Sequence, residues 1–276
     1  MGGFEVSQLV TLFVVLLAIG AVAGVVAGLL GVGGGIVLVP AFYYTFTALG
    51  FDSPQLMQIC VATSLATIVF TSIRSVQSHH KKGAVDWDIL KTWAPGIVVG
   101  AIIGVLIARE LKSETLTMIF GVLGLCVGLY MAFGKSEWRL GEEMPKGIRR
   151  AIMSPVVGFL SVLMGIGGGS FGVPIMTLYG RPIHRAVATA AGFGLIIAVP
   201  SVIGFLLTGG DVPGKPPFTV GYVNIVAFAI VISMTLLTAP VGAKLAHKMD
   251  PKPLKRVFAI FLMVVALNML RKAFMG

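Results

Sequence analysis

Gly165-Ile-Gly-Gly-Gly-Ser-Phe-Gly-Val-Pro174 decides how this chain is read, because it occurs twice. Gly31-Val-Gly-Gly-Gly-Ile-Val-Leu-Val-Pro40 carries the same triplet and the same proline 134 positions earlier. Other matches follow in order. Val61-Ala-Thr63 pairs with Val187-Ala-Thr189, Val85-Asp-Trp87 loosely with Val220-Gly-Tyr222, and Gly104 to Phe120 shares its spacing with Gly242 to Phe258. The offset drifts from 126 to 138, so loop lengths differ while the order of features holds. The reading is of two repeats, 5–134 and 148–275, joined by a charged linker over 135–147.

Composition fixes the medium. Of 276 residues, 57% are hydrophobic and 12% charged, and the mean hydropathy is +0.97. A soluble domain carries about 25% charged residues and about 45–50% apolar ones. A globule in water lacks the interior to hide this excess, so the chain reads as an all-α polytopic membrane protein. The net charge of +10 then reports topology, and no nucleic-acid partner is expected. Cys60 and Cys126 stand 66 positions apart without metal-ligand spacing, and both read as small buried apolar residues. No cofactor is implied.

A helix needs about 20 apolar residues to cross the hydrocarbon. Leu9–Leu30, Leu56–Ile73, Ile89–Ala108, Thr115–Phe133, Ala186–Leu207 and Thr219–Ala243 come close or exceed it. Val257–Leu270 is short, with Arg256, Arg271 and Lys272 placed to snorkel. Leu9–Leu30 is too long for a signal-peptide core and is read as mature protein. Ile36–Leu49, Ala151–Met164 and Phe171–Tyr179 are shorter still, and each borders a glycine cluster.

Charge assigns the sides. Arg74–Lys91, Lys135–Arg150, Arg181–Arg185 and Lys244–Arg256 hold four, five, two and five Lys/Arg, 16 of the 21. Basic loops face the cytoplasm, which places both termini outside and localises the chain to the cytoplasmic (inner) membrane. The two repeats then start on opposite faces. Each has about five hydrophobic segments, and their inverted topology recurs in transporters with a site at the repeat interface.

The glycine clusters are the candidate site. Ala151–Met164 and Phe171–Tyr179 fit a re-entrant hairpin with Gly165–Gly169 at its tip, and Gly31–Gly35 is its counterpart. Glycine lets the chain turn at depth and leaves its N–H groups open to an anion at a helix start. Pro40 and Pro174 suit the first turn of the helices that follow. Candidate substrate contacts are Gly33, Gly34, Gly35, Gly167, Gly168 and Gly169, with hydroxyls from Thr63, Ser64, Ser170 and Thr189. Arg74, Arg181, His184 and Arg185 sit where they can draw an anion to the inner mouth. His79 and His80 read as solvated loop. The Gly20/Gly24/Gly28 and Gly96/Gly100/Gly104 rows read instead as helix packing.

No apolar segment holds Asp or Glu, the usual basis of proton relays and cation sites, so an anion passage fits better. Two other classes stay open. Gly168-Gly-Ser-Phe-Gly172 satisfies G-x-S-x-G and would make Ser170 a hydrolase nucleophile, although acid and histidine partners are missing from the spans. A membrane binding or scaffold protein would need no passage at all.

The paired GVGGGIVLVP and GIGGGSFGVP, the Ala62-Thr-Ser-Leu65 and Ala188-Thr-Ala-Ala191 that follow them, and the inverted halves resemble the sulfite exporter TauE/SafE family of membrane transporters. The resemblance covers nearly the whole chain. It implies transport of a small sulfur-containing anion such as sulfite, sulfoacetate or another organosulfonate across the cytoplasmic membrane, usually outward. It places Gly33–Gly35, Gly167–Gly169, Thr63 and Thr189 at the passage. Ala190 stands where Ser64 has its hydroxyl, so the two copies differ there.

Overall fold

A computed structural model of the chain describes residues 6–30, 34–134, 138–210, 213–246 and 251–275. Ten helices are present among them: α1 (Val6–Leu30), α2 (Gly35–Ala48), α3 (Leu56–His80), α4 (Trp87–Ala108), α5 (Ser113–Phe133), α6 (Gly147–Leu163), α7 (Gly169–Leu178), α8 (Ile183–Thr208), α9 (Ile225–Ala246) and α10 (Pro251–Met275). Five of them, α3, α4, α5, α8 and α9, are long and apolar enough to cross a membrane. The protein is an all-α multi-pass membrane protein. At about 1.5 Å per residue, the 14 residues of α2 and 10 of α7 fall well short of a hydrocarbon core about 30 Å thick.

The boundaries have local causes. α2 and α7 end in the same way: Gly50 (φ 79°) and Gly180 (φ 80°) take the left-handed conformation. The N–H groups of Phe51 and Arg181 then reach back to Phe46 and Met176, closing the last turn. The Asp86 carboxylate caps α4 by accepting from the Ile89 N–H at 3.3 Å.

Two expected boundaries are corrected. Thr219–Ala243 is not one apolar helix. Thr219–Val220 pairs antiparallel with Val223–Asn224 in a small ribbon that turns at Gly221. α9 starts only after Asn224, whose side-chain oxygen accepts from the Ala227 N–H at 2.9 Å. α3 runs on to His80, so His79 is helical and fully buried, not loop, while His80 alone is exposed.

Glycine rows set the packing. Gly20, Gly24 and Gly28 of α1 lie against the Val231, Thr235 and Ala239 backbone of α9. Gly96, Gly100 and Gly104 of α4 lie against Ser154, Pro155 and Val162 of α6. A Cβ at most of these positions would land on the neighbouring backbone, so the helices approach as closely as they do only because the side chain is absent. A third row, Gly121, Gly124 and Gly128, joins α5 to Leu270, Ala266 and Met263 of α10.

α3 and α8 pack together at the centre, with α4 against α8 and α9 against α3. Exchanging α1–α5 for α6–α10 in order maps the pair α1·α9 onto α6·α4 and α3·α9 onto α8·α4. α3 is the enclosed element: 83% of its apolar window is buried, against 28% for α9. The outer helices present Ile102, Leu106, Leu129, Val264 and Leu267 outward, an apolar girdle that water would not support. Cys126 belongs to that outer face, contrary to the reading of both cysteines as buried, while Cys60 is enclosed.

Candidate functional site

α6 ends in a Schellman turn. Gly165 adopts φ 61°, its N–H donates to Val162 O at 2.9 Å, and the Ile166 N–H donates to Ser161 O at 3.0 Å. Only glycine holds that backbone without strain. Gly167, Gly168, Gly169 and Ser170 follow, all buried, and lead into α7.

The two glycine stretches meet. A Cβ on Gly35 would fall on Gly165 O and 2.8 Å from the Ile166 Cα. Gly34 takes φ 78° and its carbonyl accepts from Val37 and Leu38 at the start of α2. Gly33 lies outside the described residues. Gly168 is in the right-handed region, and its lack of a side chain serves close approach: a Cβ there would overlap that of Phe193 on α8. Trp93 stacks behind Phe193 with centroids 6.1 Å apart. Pro40 and Pro174 do not open their helices. Each is the sixth residue, inside the second turn, where it withholds an N–H from the carbonyl four residues back.

The candidate hydroxyls separate into groups. Ser64 donates to Gly165 O at 2.7 Å and so pins the turn to α3. Thr63 donates to Ile59 O at 2.7 Å and accepts from the Asn224 N–H at 3.0 Å. Thr189 accepts from the Asp86 N–H at 2.9 Å. The two threonines are not brought together. Thr63 holds the Asn224 ribbon, whose Tyr222 N–H bonds to Phe205 O near the far end of α8. Phe205 is sixteen residues past Thr189, or about 24 Å along a helix axis. Ser170 is buried with no partner for its hydroxyl among the described residues, and so are Ser72 and Ser161.

Arg181 lies 3.8 Å from Asp86 as an ion pair, which ties it to the cap of α4. Arg74, His184 and Arg185 are exposed on α3 and in the first turn of α8. Between α2, α5 and α10, away from the glycine turns, a cavity of about 480 Å³ is lined by Tyr43, Asp52, Lys112, Glu114 and Lys272.

Sequence reasoning missed the pairing of Asp86 with Asn224. Both cap a long helix, and both donate a backbone N–H to a repeat-matched threonine of the central helix pair. Ser72 reads from the sequence as one of several helix-packing hydroxyls, beside Thr71, and only its surroundings set it apart. Among the described residues no Lys, Arg, Asp or Glu is buried. The interior around the glycines therefore offers backbone dipoles and hydroxyls, neutral groups suited to hydrogen-bonding an oxygen-bearing ligand.

Long apolar helices locked by glycine rows around an interrupted, hydroxyl-bearing centre suit a membrane transporter. Curated relatives agree. A probable membrane transporter protein of Haemophilus influenzae is 32% identical over 262 residues, covering 95% of this chain and 99% of that protein. Others from Methanocaldococcus jannaschii and Bacillus subtilis are 27% and 26% identical, covering 95% and 94% of this chain and 97% of each relative. No solved structure matches. The sulfite exporter TauE/SafE family model matches residues 16–269, and the chain belongs to that family. It is a transporter, not an enzyme, so G-x-S-x-G at 168–172 is a glycine-rich coincidence.

Proposed function

We propose that the protein moves a small sulfur-containing anion, sulfite or an organosulfonate, outward across the cytoplasmic membrane by alternating access. The family supports the substrate class and the direction. The observation that carries the passage is the meeting of Gly35 with Gly165 in a buried centre, where backbone groups and hydroxyls are the polar atoms. Partial charges at the starts of α2 and α7 favour an anion there.

Residues 5–134 and 148–275 form two inverted repeats in this reading, with 135–147 as their cytoplasmic linker. The order-preserving exchange of helix contacts supports it, as does the matched capping of α4 and α9. The basic loops face the cytoplasm, both termini face outside, and opening alternates between Gly34–Gly35 and Gly167–Gly169. At the inner mouth, Arg74, His184 and Arg185 attract the substrate, Arg181 being held by Asp86.

Purified protein in proteoliposomes tests this. Sulfite is expected to flow down its gradient with saturation, and Gly168→Leu, which would drive a side chain into Phe193, is expected to abolish the flux. Unchanged flux in a monodisperse Gly168→Leu protein would remove the glycine turn from the passage.

A further inference from the structure

The second glycine turn is accompanied by serines whose matching positions in the other repeat carry no hydroxyl. Ser64 from α3 bonds to the second turn, Ser161 O receives the N–H that closes it, and Ser170 follows it in sequence. Ser72 reaches it across Gly194: a Cβ on Gly194 would lie 2.6 Å from Ser72 Oγ and 3.7 Å from Gly167 Cα. The missing side chain of Gly194 thus lets the Ser72 hydroxyl come in close beside the glycine backbone. At the repeat offsets of 126 and 134, Ser64, Ser72, Ser161 and Ser170 correspond to Ala190, Ala198, Ala27 and Ile36. All four counterparts are apolar and buried.

Three of the serines, Ser72, Ser161 and Ser170, have hydroxyls with no partner among the described residues. Their side chains are 2%, 0% and 4% exposed. A buried hydroxyl left unpaired is costly, and three around one turn mark a place prepared for a hydrogen-bonding guest. α7 starts at Gly169 and directs its first N–H groups to the same turn.

We infer that substrate is held off the pseudo-symmetry axis, at the second glycine turn, with Ser72 and Ser170 donating to its oxygens, and that it is accepted as a singly charged oxyanion. The charge limit follows from the donor set. No buried Lys or Arg stands among the described residues to offset a second charge. In the Born picture the cost of taking an ion out of water grows as the square of its charge. Hydroxyls and one helix start, worth about half an elementary charge, match a monoanion and not a dianion. This inference rests on the transport reading above and deepens it.

The test uses the full-length protein in proteoliposomes with methanesulfonate, a monoanion, and sulfate, a dianion, as probes. Saturable methanesulfonate flux without sulfate flux is expected. Ser72→Ala and Ser170→Ala are each expected to raise the half-saturation concentration about tenfold, the loss of one hydrogen bond to a charged group. Gly194→Ala places a methyl group against Ser72 Oγ, which the fold accommodates by turning that hydroxyl aside, and is expected to do the same. Ser201→Ala, which removes a hydroxyl bonded to Ile197 O on α8, is expected to leave flux unchanged. Thermal unfolding of each variant in detergent controls for folding. If wild-type flux is normal and the serine and Gly194 variants match it, the off-axis site is wrong while the transport reading stands. Equal flux of sulfate overturns the charge limit. If the wild type carries neither probe and also carries no sulfite, the transport reading fails and this inference with it; sulfite flux without methanesulfonate flux overturns the inference alone.

Discussion

The Thr189 hydroxyl accepts a hydrogen bond from the Asp86 N–H at 2.9 Å, so a residue in the second turn of α8 fixes the residue that opens α4. At the other end of the same helix pair, Thr63 of α3 holds Asn224, which opens α9, at 3.0 Å. Thr189→Val keeps the shape and removes the acceptor, leaving the Asp86 N–H unsatisfied. A loss of about 1–3 kcal/mol is expected, read as a lower unfolding temperature in detergent. Thr63→Val should lose a similar amount. A Thr189→Val protein as stable as wild type would mean that the bond contributes nothing.

Much of the architecture was legible in the sequence because lipid demands long uninterrupted apolar runs, and glycine interrupts them visibly. The Gly20 and Gly96 rows were readable as packing for the same reason: small residues at every fourth position make one smooth helix face. The Asp86–Asn224 match was not legible. It joins different residue types in different local contexts, VDW and YVN, and shows itself only in which N–H meets which threonine. His79 was misread because a charged flank such as His79-His80-Lys81-Lys82 looks solvated, whereas tertiary packing turns one of two adjacent residues inward.

Asp86 and Asn224 do matching work with different side chains, so exchanging their chemistry should be asymmetric. Asp86→Asn keeps the cap on α4 and loses only the long, partly exposed pairing with Arg181 at 3.8 Å, a change expected to stay near or below about 1 kcal/mol. Asn224→Asp loses the amide that donates to Pro217 O at 2.9 Å and to Thr219 Oγ1 at 3.0 Å, and it puts a charge in a buried position. The expected cost is about 3 kcal/mol or more. Comparable melting curves for the two variants would contradict this account.

Glycine positions of two kinds should respond differently to alanine. At Gly100 a Cβ would strike the backbone of Pro155, so α4 and α6 must separate, and a cost of about 3 kcal/mol or loss of folded protein is expected. At Gly83 nothing lies within 4 Å, but φ is 64°. Its alanine variant pays only for the left-handed backbone, about 1 kcal/mol. Thermal unfolding of the pair in one detergent orders them, and the reverse order would remove close helix approach as the reason for the Gly96–Gly104 row.

The orientation proposed from charge can be tested against a quiet background. Of the two native thiols, Cys60 is enclosed and Cys126 lies on the apolar outer surface of α5, so a membrane-impermeant maleimide should find neither in intact cells. Lys82→Cys, in the basic loop after α3, and Lys112→Cys, before α5, replace exposed residues at opposite ends of α4. Because 16 of 21 Lys/Arg fall in the loops assigned to the cytoplasm and that bias orients membrane helices, Lys112→Cys should react in intact cells. Lys82→Cys should react only after permeabilisation. Labelling with the opposite sidedness would invert the whole map and move Arg74, His184 and Arg185 to the outer mouth. The glycine turns and their serines would stay where they are, since their placement depends on helix packing and not on which face meets the cytoplasm.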